Sequence, residues 1–199
     1  MKIAIIIFSA LIVLIIAFQT YVSMATTKSE TQTYKVIKVE DEFEIRYYPS
    51  ATMAMITSSA TTYKELGSPG FAKLAGYIFG GNQENKKIAM TTPVHMDIND
   101  SASTMSFVMP SIYNKDNLPL PNNSEVTIKT VPEEYVAALK FGGFASNERI
   151  KEHTAILENA LKKHKIAYYG HFRFLGYNPP FQFIGRRNEI IVAVHWEAK

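Results

Sequence analysis

The sequence predicts an α+β domain in which two similar halves curl into one distorted antiparallel β-barrel with a helix outside each. Three observations predict it: short stretches of alternating apolar and polar residues bounded by turn signals, two segments with 3.6-residue apolar periodicity, and the recurrence of the order strand-strand-helix-strand-strand in both halves. With 199 residues, 47% hydrophobic and 20% charged, the chain is long enough for one packed core and too apolar to be disordered.

The N-terminus stands apart from this pattern. After Lys2 the chain is apolar from Ile3 to Phe18 apart from Ser9, with no polar face that would suit a core helix. Ser23-Met24-Ala25 offers a small-x-small cleavage site, and extension through Tyr21 and Val22 would instead allow an uncleaved anchor. Residues 1–25 are therefore expected to export the chain or anchor it to a membrane, making the membrane one partner and an extracytoplasmic place one destination. Residues 26–33, rich in Thr and Ser, read as a linker, and the folded domain is expected over 34–199.

In the first half, strands are expected at Tyr34 to Val39, Glu42 to Tyr48 and Thr52 to Ser58, where Phe43, Ile45 and Tyr47 alternate with charged residues. Ser68 and Pro69 suit N-cap and first-turn positions for a helix that carries Phe71, Leu74, Ala75 and Ile78 on one face and ends at Gly80-Gly81. Strands at Lys87 to Asp97 and Thr104 to Met109 follow. The second half repeats the order: strands at Glu125 to Thr130 and Glu134 to Phe141, a helix from about Asn147 to Lys165, and strands at His171 to Gly176 and Glu189 to Trp196. Glu148 in the first turn of this helix and Lys162, Lys163 and Lys165 in its last complement the helix dipole. Curling two such halves together leaves a hollow in which a small molecule could sit.

Composition removes several classes of function. The absence of cysteine excludes disulfides, thiolate zinc sites, iron-sulfur clusters and cysteine nucleophiles. The five histidines are dispersed, and none has the His/Glu spacing that places two ligands on one helix face. A net charge of +3 with scattered basic residues lacks the concentrated stripe that nucleic-acid binding requires.

Four motifs carry a resemblance to a known family. Glu44-Ile45-Arg46-Tyr47-Tyr48, Lys87-Ile88-Ala89-Met90-Thr91-Thr92-Pro93-Val94, Phe141-Gly142-Gly143-Phe144, and Gly176-Tyr177-Asn178-Pro179-Pro180 followed by Gly185-Arg186-Arg187-Asn188-Glu189-Ile190 resemble, in order, the signature stretches of SOUL heme-binding proteins. The resemblance spans Tyr34 to Trp196. It implies a barrel of two βαββ repeats with two helices, and noncovalent, non-catalytic binding of heme or another porphyrin in transport, buffering or scavenging. By the same resemblance the tetrapyrrole would lie in an apolar groove beside the first helix, against Phe71, Leu74, Ala75 and Ile78, with Phe181 and Phe183 opposite. Lys73 and Lys64 are the nearby cations for its propionates, while the loop from Pro180 to Gly185 carries Gln182 and no lysine. The stripe on the helix is equally what a core-facing helix displays. Where one branch of the family places a histidine for iron this chain has Tyr47, and a phenolate can hold ferric iron.

Strand alternation adds expectations of its own. Arg186 and Arg187 should face opposite sides, with one of them meeting a carboxylate, for which Glu189 is the candidate. Ile190, Val192, Val194 and Trp196 form the core face of the last strand; Glu189, Ile191, Ala193 and His195 share the other. An inward Glu189 could serve acid-base chemistry. That makes a small-molecule hydrolase, resembling members of the gyrase-inhibitor-like superfamily, the enzymatic alternative. An interaction protein that has lost its ligand is the other. His95 and Met96 are neighbours on a strand and so point apart, which prevents both from ligating one iron.

Overall fold

The computed structural model describes residues 2–196, and its first element, α1 (Lys2–Lys28), is one unbroken helix. Its side chains are exposed from Lys2 to Phe18; Gln19 and Val22, near its end, are buried. Lys2–Met24 is long and apolar enough to cross a membrane.

The strands are β1 (Glu30–Thr31), β2 (Lys35–Val39), β3 (Glu44–Tyr48), β4 (Ala51–Ser58), β5 (Thr91–Thr92), β6 (Val94–Asp97), β7 (Ser103–Val108), β8 (Thr127–Val131), β9 (Glu134–Phe141), β10 (Tyr168–Gly176) and β11 (Asn188–Val194). Two further helices are α2 (Tyr63–Ile78) and α3 (Asn147–Lys163). Nine strands form one antiparallel sheet in the order β2-β3-β9-β11-β10-β6-β7-β4-β8. Its ends, β2 and β8, do not pair with each other, so the sheet curls into a half-barrel with two edges.

The repeat seen in the sequence is present as β3-β4-α2-β6-β7 and β8-β9-α3-β10-β11. The first strand of each repeat pairs with the second strand of the other, β3 with β9 and β8 with β4. The halves meet again where β6 lies antiparallel to β10, with Met96 opposite Phe174 and His95 opposite Leu175. This exchange of strands makes neither half separable. Both helices pack on one face of the sheet, over a core that includes Ile45, Ile56, Leu74, Leu157, Leu161, Phe174, Ile190 and Val192. A smaller cluster, Tyr48, Val136, Ala138, Leu175, Tyr177 and Ile191, occupies the opposite face.

The start of α2 corrects the sequence expectation. Thr62, not Ser68, is the N-cap: its side chain accepts from Glu65 N at 3.2 Å, while Glu65 Oε2 accepts from Thr61 N at 3.0 Å. This is capping-box chemistry one turn and a half earlier, and it brings Leu66 into the core. Pro69 falls inside the helix on its exposed side, where water can serve the carbonyl left without an amide donor. The expected strand Lys87 to Asp97 is likewise broken, into β5 and β6, because Pro93 cannot donate to a ladder. β5 pairs in parallel with β1, Gln32 N donates to Thr92 O at 2.8 Å, and Ser111 N donates to Glu30 Oε1 at 2.8 Å. The segment read as a linker thus carries the end of α1 and a short strand. α3 matches its expected span to within two residues, with Ser146 accepting from Arg149 N at 3.3 Å as its cap.

Thr62→Ala is expected to lower unfolding free energy by about 1 kcal/mol, and Ser68→Ala by less than about 0.5 kcal/mol, in urea denaturation.

Candidate functional site

Tyr63 at the start of α2, the β6–β7 turn and α3 border a cleft on the helix side of the sheet near the join of the two repeats. Its volume is about 770 Å³. Met96, Phe174 and Ile190 line it from the sheet, Tyr63 and Phe172 add aromatic surface, and Ile150 and Thr154 face it from α3. Lys151 and His171 are exposed members of the lining, and His171 Nδ1 lies 3.4 Å from Asp97 Oδ1. The aromatic surface continues beyond the cleft: Tyr63 packs edge-on to Phe174 at 5.3 Å, and Phe141, 6.3 Å from Phe174, stacks on His153 at 4.0 Å.

The opposite face of the sheet holds a buried polar cluster. Glu189, with 0% exposure, lies on β11, every residue of which is buried. Arg46 on β3 is 2% exposed and donates through Nη1 to Glu189 Oε2 at 2.8 Å and through Nη2 to Oε1 at 3.2 Å. Arg187 donates to Oε1 from Nε at 2.9 Å and from Nη2 at 2.7 Å, and the Tyr177 hydroxyl donates to Oε2 at 2.9 Å. Burial opposes the charge on Arg46, yet its bonds to Glu189 outweigh that penalty and hold its pKa above the ordinary guanidinium range. Burial, and then the Glu189 charge, push the Tyr177 phenol well above the ordinary range and the Tyr48 phenol to about 12. Aromatic faces complete the cage: Arg46 lies 4.3 Å from the Tyr34 ring and Arg187 4.0 Å from the Tyr177 ring. Asn178 Oδ1 accepts from Arg187 N at 2.6 Å, and Asn188 Nδ2 donates to Gly143 O at 2.8 Å. Segments that are far apart in the sequence are thereby drawn to one place.

Comparison with known proteins agrees with that convergence. The family model described as SOUL heme-binding protein matches residues 29–193. The chain belongs to the SOUL heme-binding protein family. It is 32% identical to heme-binding protein 2 of Mus musculus over 156 residues, covering 74% of this chain and 76% of that one, and 30% identical to heme-binding protein 2 of Homo sapiens over the same length. Heme-binding protein 1 of Xenopus laevis is 27% identical and 81% covered. Among solved structures, the EcmrR C-terminal domain aligns with a TM-score of 0.57 at 10% identity, over 82% of this chain and 99% of that one. A hydrolase from Listeria innocua aligns at 0.55 and 7%, over 80% and 94%. Those two likenesses concern the fold alone.

Within this SOUL domain the expected site residues are spread over several surroundings. Leu74, Ala75 and Ile78 are buried, with Leu74 and Ile78 in the core beneath α2. Phe71 is partly exposed, its ring 5.2 Å from that of Phe107, and Lys73 pairs with Glu125 at 2.7 Å. Phe181 and Phe183 project from the β10–β11 loop, Phe181 toward Phe18 of α1 and Phe183 toward Phe144. Tyr47 lies outside the cleft, beside Tyr135 at 5.2 Å, and its hydroxyl donates to Glu133. That bond, with burial second, raises the Tyr47 pKa and so disfavours the phenolate that iron would need. His95 and Met96 do point apart, Met96 into the core and His95 to the Gln32 side chain at 2.7 Å. Of the two arginines, Arg187 meets Glu189, while Arg186 Nη1 donates to the carbonyls of Pro179 and Gln182, both at 2.7 Å. Sequence reasoning missed Arg46 as the buried partner of Glu189, although alternation with Ile45 and Tyr47 places it on the other face. It also missed Tyr63, Ile150, Lys151 and Thr154, which only the packing of two helices brings together.

Two outcomes follow from these environments. Glu189→Leu leaves the buried Arg46 guanidinium and the half-buried Arg187 guanidinium without their anion and is expected to cost about 3–5 kcal/mol in urea unfolding. Burial, and secondarily the Arg173 charge, hold His95 down at about 3, against 6.5 when free. The unfolded chain then takes up a proton at His95 as pH falls below 6.5 while the folded chain does not, so this contribution to stability is full above 6.5 and is lost toward pH 3. His95→Gln is expected to flatten the fall of unfolding free energy between pH 6 and 4 by up to about 1.4 kcal/mol per pH unit.

Proposed function

We propose that this protein is a membrane-anchored, non-catalytic binder of heme or a related tetrapyrrole, and that the ligand occupies the cleft bordered by the start of α2, the β6–β7 turn and α3. The observation that carries the reading is the cleft itself. At about 770 Å³ it lies within the ~300–1,000 Å³ typical of small-molecule pockets. Its lining fits a large apolar disc, with Tyr63, Phe172 and Phe174 for stacking and Met96, Ile98, Ile150 and Ile190 for burial. Lys151, which has no ion-pair partner among the described residues, is available to a propionate at the surface. When bound, heme brings its own redox and gas-binding chemistry; the chain supplies burial, orientation and a cation. Family membership, and relatives named as heme-binding proteins, favour heme over other flat apolar ligands.

A binding role is favoured over catalysis by the state of Glu189. Its two oxygens accept five hydrogen bonds, which leaves it serving as an anion inside the fold rather than as a free acid or base. Anchoring is favoured over cleavage by the contacts of α1. Removal of residues 1–25 would take away Gln19 and Val22, both buried, and strip the β10–β11 loop of its partner.

Hemin titration followed through the Soret band tests the reading. Binding is expected for the wild-type chain. Thr154→Trp, which fills the cleft, should weaken it by about tenfold or more, equivalent to about 1.4 kcal/mol. Tyr47→Phe and Phe71→Ala should leave affinity and band position unchanged. Loss of binding on Phe71→Ala with Thr154→Trp unaffected would move the ligand to the exposed side of α2.

A further inference from the structure

The loop between β10 and β11 is built inside out. Gln182 is 3% exposed; its Nε2 donates to Ile184 O at 3.0 Å, and its Oε1 accepts from Thr26 Oγ1 at 3.0 Å. Arg186 braces the same loop by donating to the carbonyls of Pro179 and Gln182. Gly185, at φ +66, provides the left-handed residue that lets the chain turn back toward β11. With the polar side chains turned inward, Phe181, Phe183 and Ile184 are left 50%, 59% and 71% exposed. Phe144, also exposed, joins them with its ring 6.0 Å from that of Phe183 and 4.5 Å from the Arg186 guanidinium. Bracing a loop so that it offers aromatic and branched side chains outward makes sense for a surface that meets something apolar.

α1 sets where that surface lies. Gln19 Nε2 donates to Phe181 O at 3.0 Å, Gln19 Oε1 accepts from Phe183 N at 2.9 Å, and the rings of Phe18 and Phe181 are 6.3 Å apart. A hydrocarbon core about 30 Å thick takes about 20 helical residues, a length the apolar stretch Lys2–Met24 supplies. If the span runs from Ile3 to Val22, Gln19 sits about 4–5 Å from the upper boundary at 1.5 Å per residue. Its amide has its partners in the loop backbone, as a polar group at that depth requires. The loop that it holds is then at the level where aromatic side chains favour the lipid–water interface.

We propose that Phe144, Phe181, Phe183 and Ile184 dip into the phospholipid interface beside α1, so that the domain lies down on the bilayer instead of swinging on a tether. This rests on the reading of α1 as a membrane span. The occupant of the patch is lipid because the patch is continuous with the helix surface that itself must be in lipid, and because two hydrogen bonds fix the two side by side.

The chain has no cysteine, so single substitutions report single places. Phe183→Cys, Ile184→Cys and Lys163→Cys in the full chain, each carrying an environment-sensitive fluorophore, are compared in phosphatidylcholine vesicles with and without nitroxide-labelled lipid. Lys163 ends α3, about 25 Å along the helix from the Phe144 side. The expected result is blue-shifted emission at positions 183 and 184, quenched several-fold more strongly by shallow nitroxides than at 163, with the chain sedimenting with the vesicles. If the chain sediments but all three positions are quenched alike, the loop proposal is overturned and the membrane span stands. If the chain stays in the supernatant, both fall. A blue shift without lipid quenching, as when a second copy or hemin covers the loop, also overturns the proposal.

Discussion

Placing the carboxylate of Glu189 on the fully buried strand β11 sets the terms for the rest of the sheet. An ion in that position costs several kcal/mol unless it is paired and hydrogen-bonded. Arg46, two strands away, and Arg187 and Tyr177, at the ends of the neighbouring hairpin, meet that cost together. The pairing also fixes register. Sliding β3 by one residue would turn Arg46 to the helix side and Ile45 into the polar cage, so β3, β9 and β11 can align in only one way. Six residues of the motifs that carry the family resemblance belong to this cluster and its supports: Arg46, Tyr177, Asn178, Arg187, Asn188 and Glu189. What they encode is first an architecture.

That architecture also shapes the cleft proposed for the ligand. The ion cluster and its tyrosines occupy one face of the sheet, and the cleft is on the helix side, where the exchange of strands between repeats brings the start of α2 and α3 to either side of the β6–β10 join. Each repeat contributes one wall, so the cleft exists only in the assembled domain. Fusion of two similar halves thus gives a small protein a pocket that neither half could enclose.

Much of the fold was legible in the sequence because alternation and periodicity respond to burial. β9 was read to its observed limits, α3 to within two residues, and the two faces of β11 correctly. The start of α2 was misplaced because Ser68-Pro69 imitates a helix N-terminus while Thr62 and Glu65 form the working one. The site was less legible. Leu74 and Ile78 have the spacing of an apolar stripe, but periodicity cannot tell a groove from a core, and the packing of α2 on β4 and β7 made them core. The cleft draws on five separate elements, and the docking of Gln19 links residues more than 160 apart; neither has a local signature.

The proposed tetrapyrrole lies across the join of the repeats. Methyl NMR of the full chain in micelles tests it directly, comparing ferric hemin with diamagnetic zinc protoporphyrin. Paramagnetic broadening is expected at Met96, Ile98, Ile150 and Ile190, with Leu74 and Ala75 spared. Broadening centred on Leu74 and Ala75 with Ile150 untouched would contradict it.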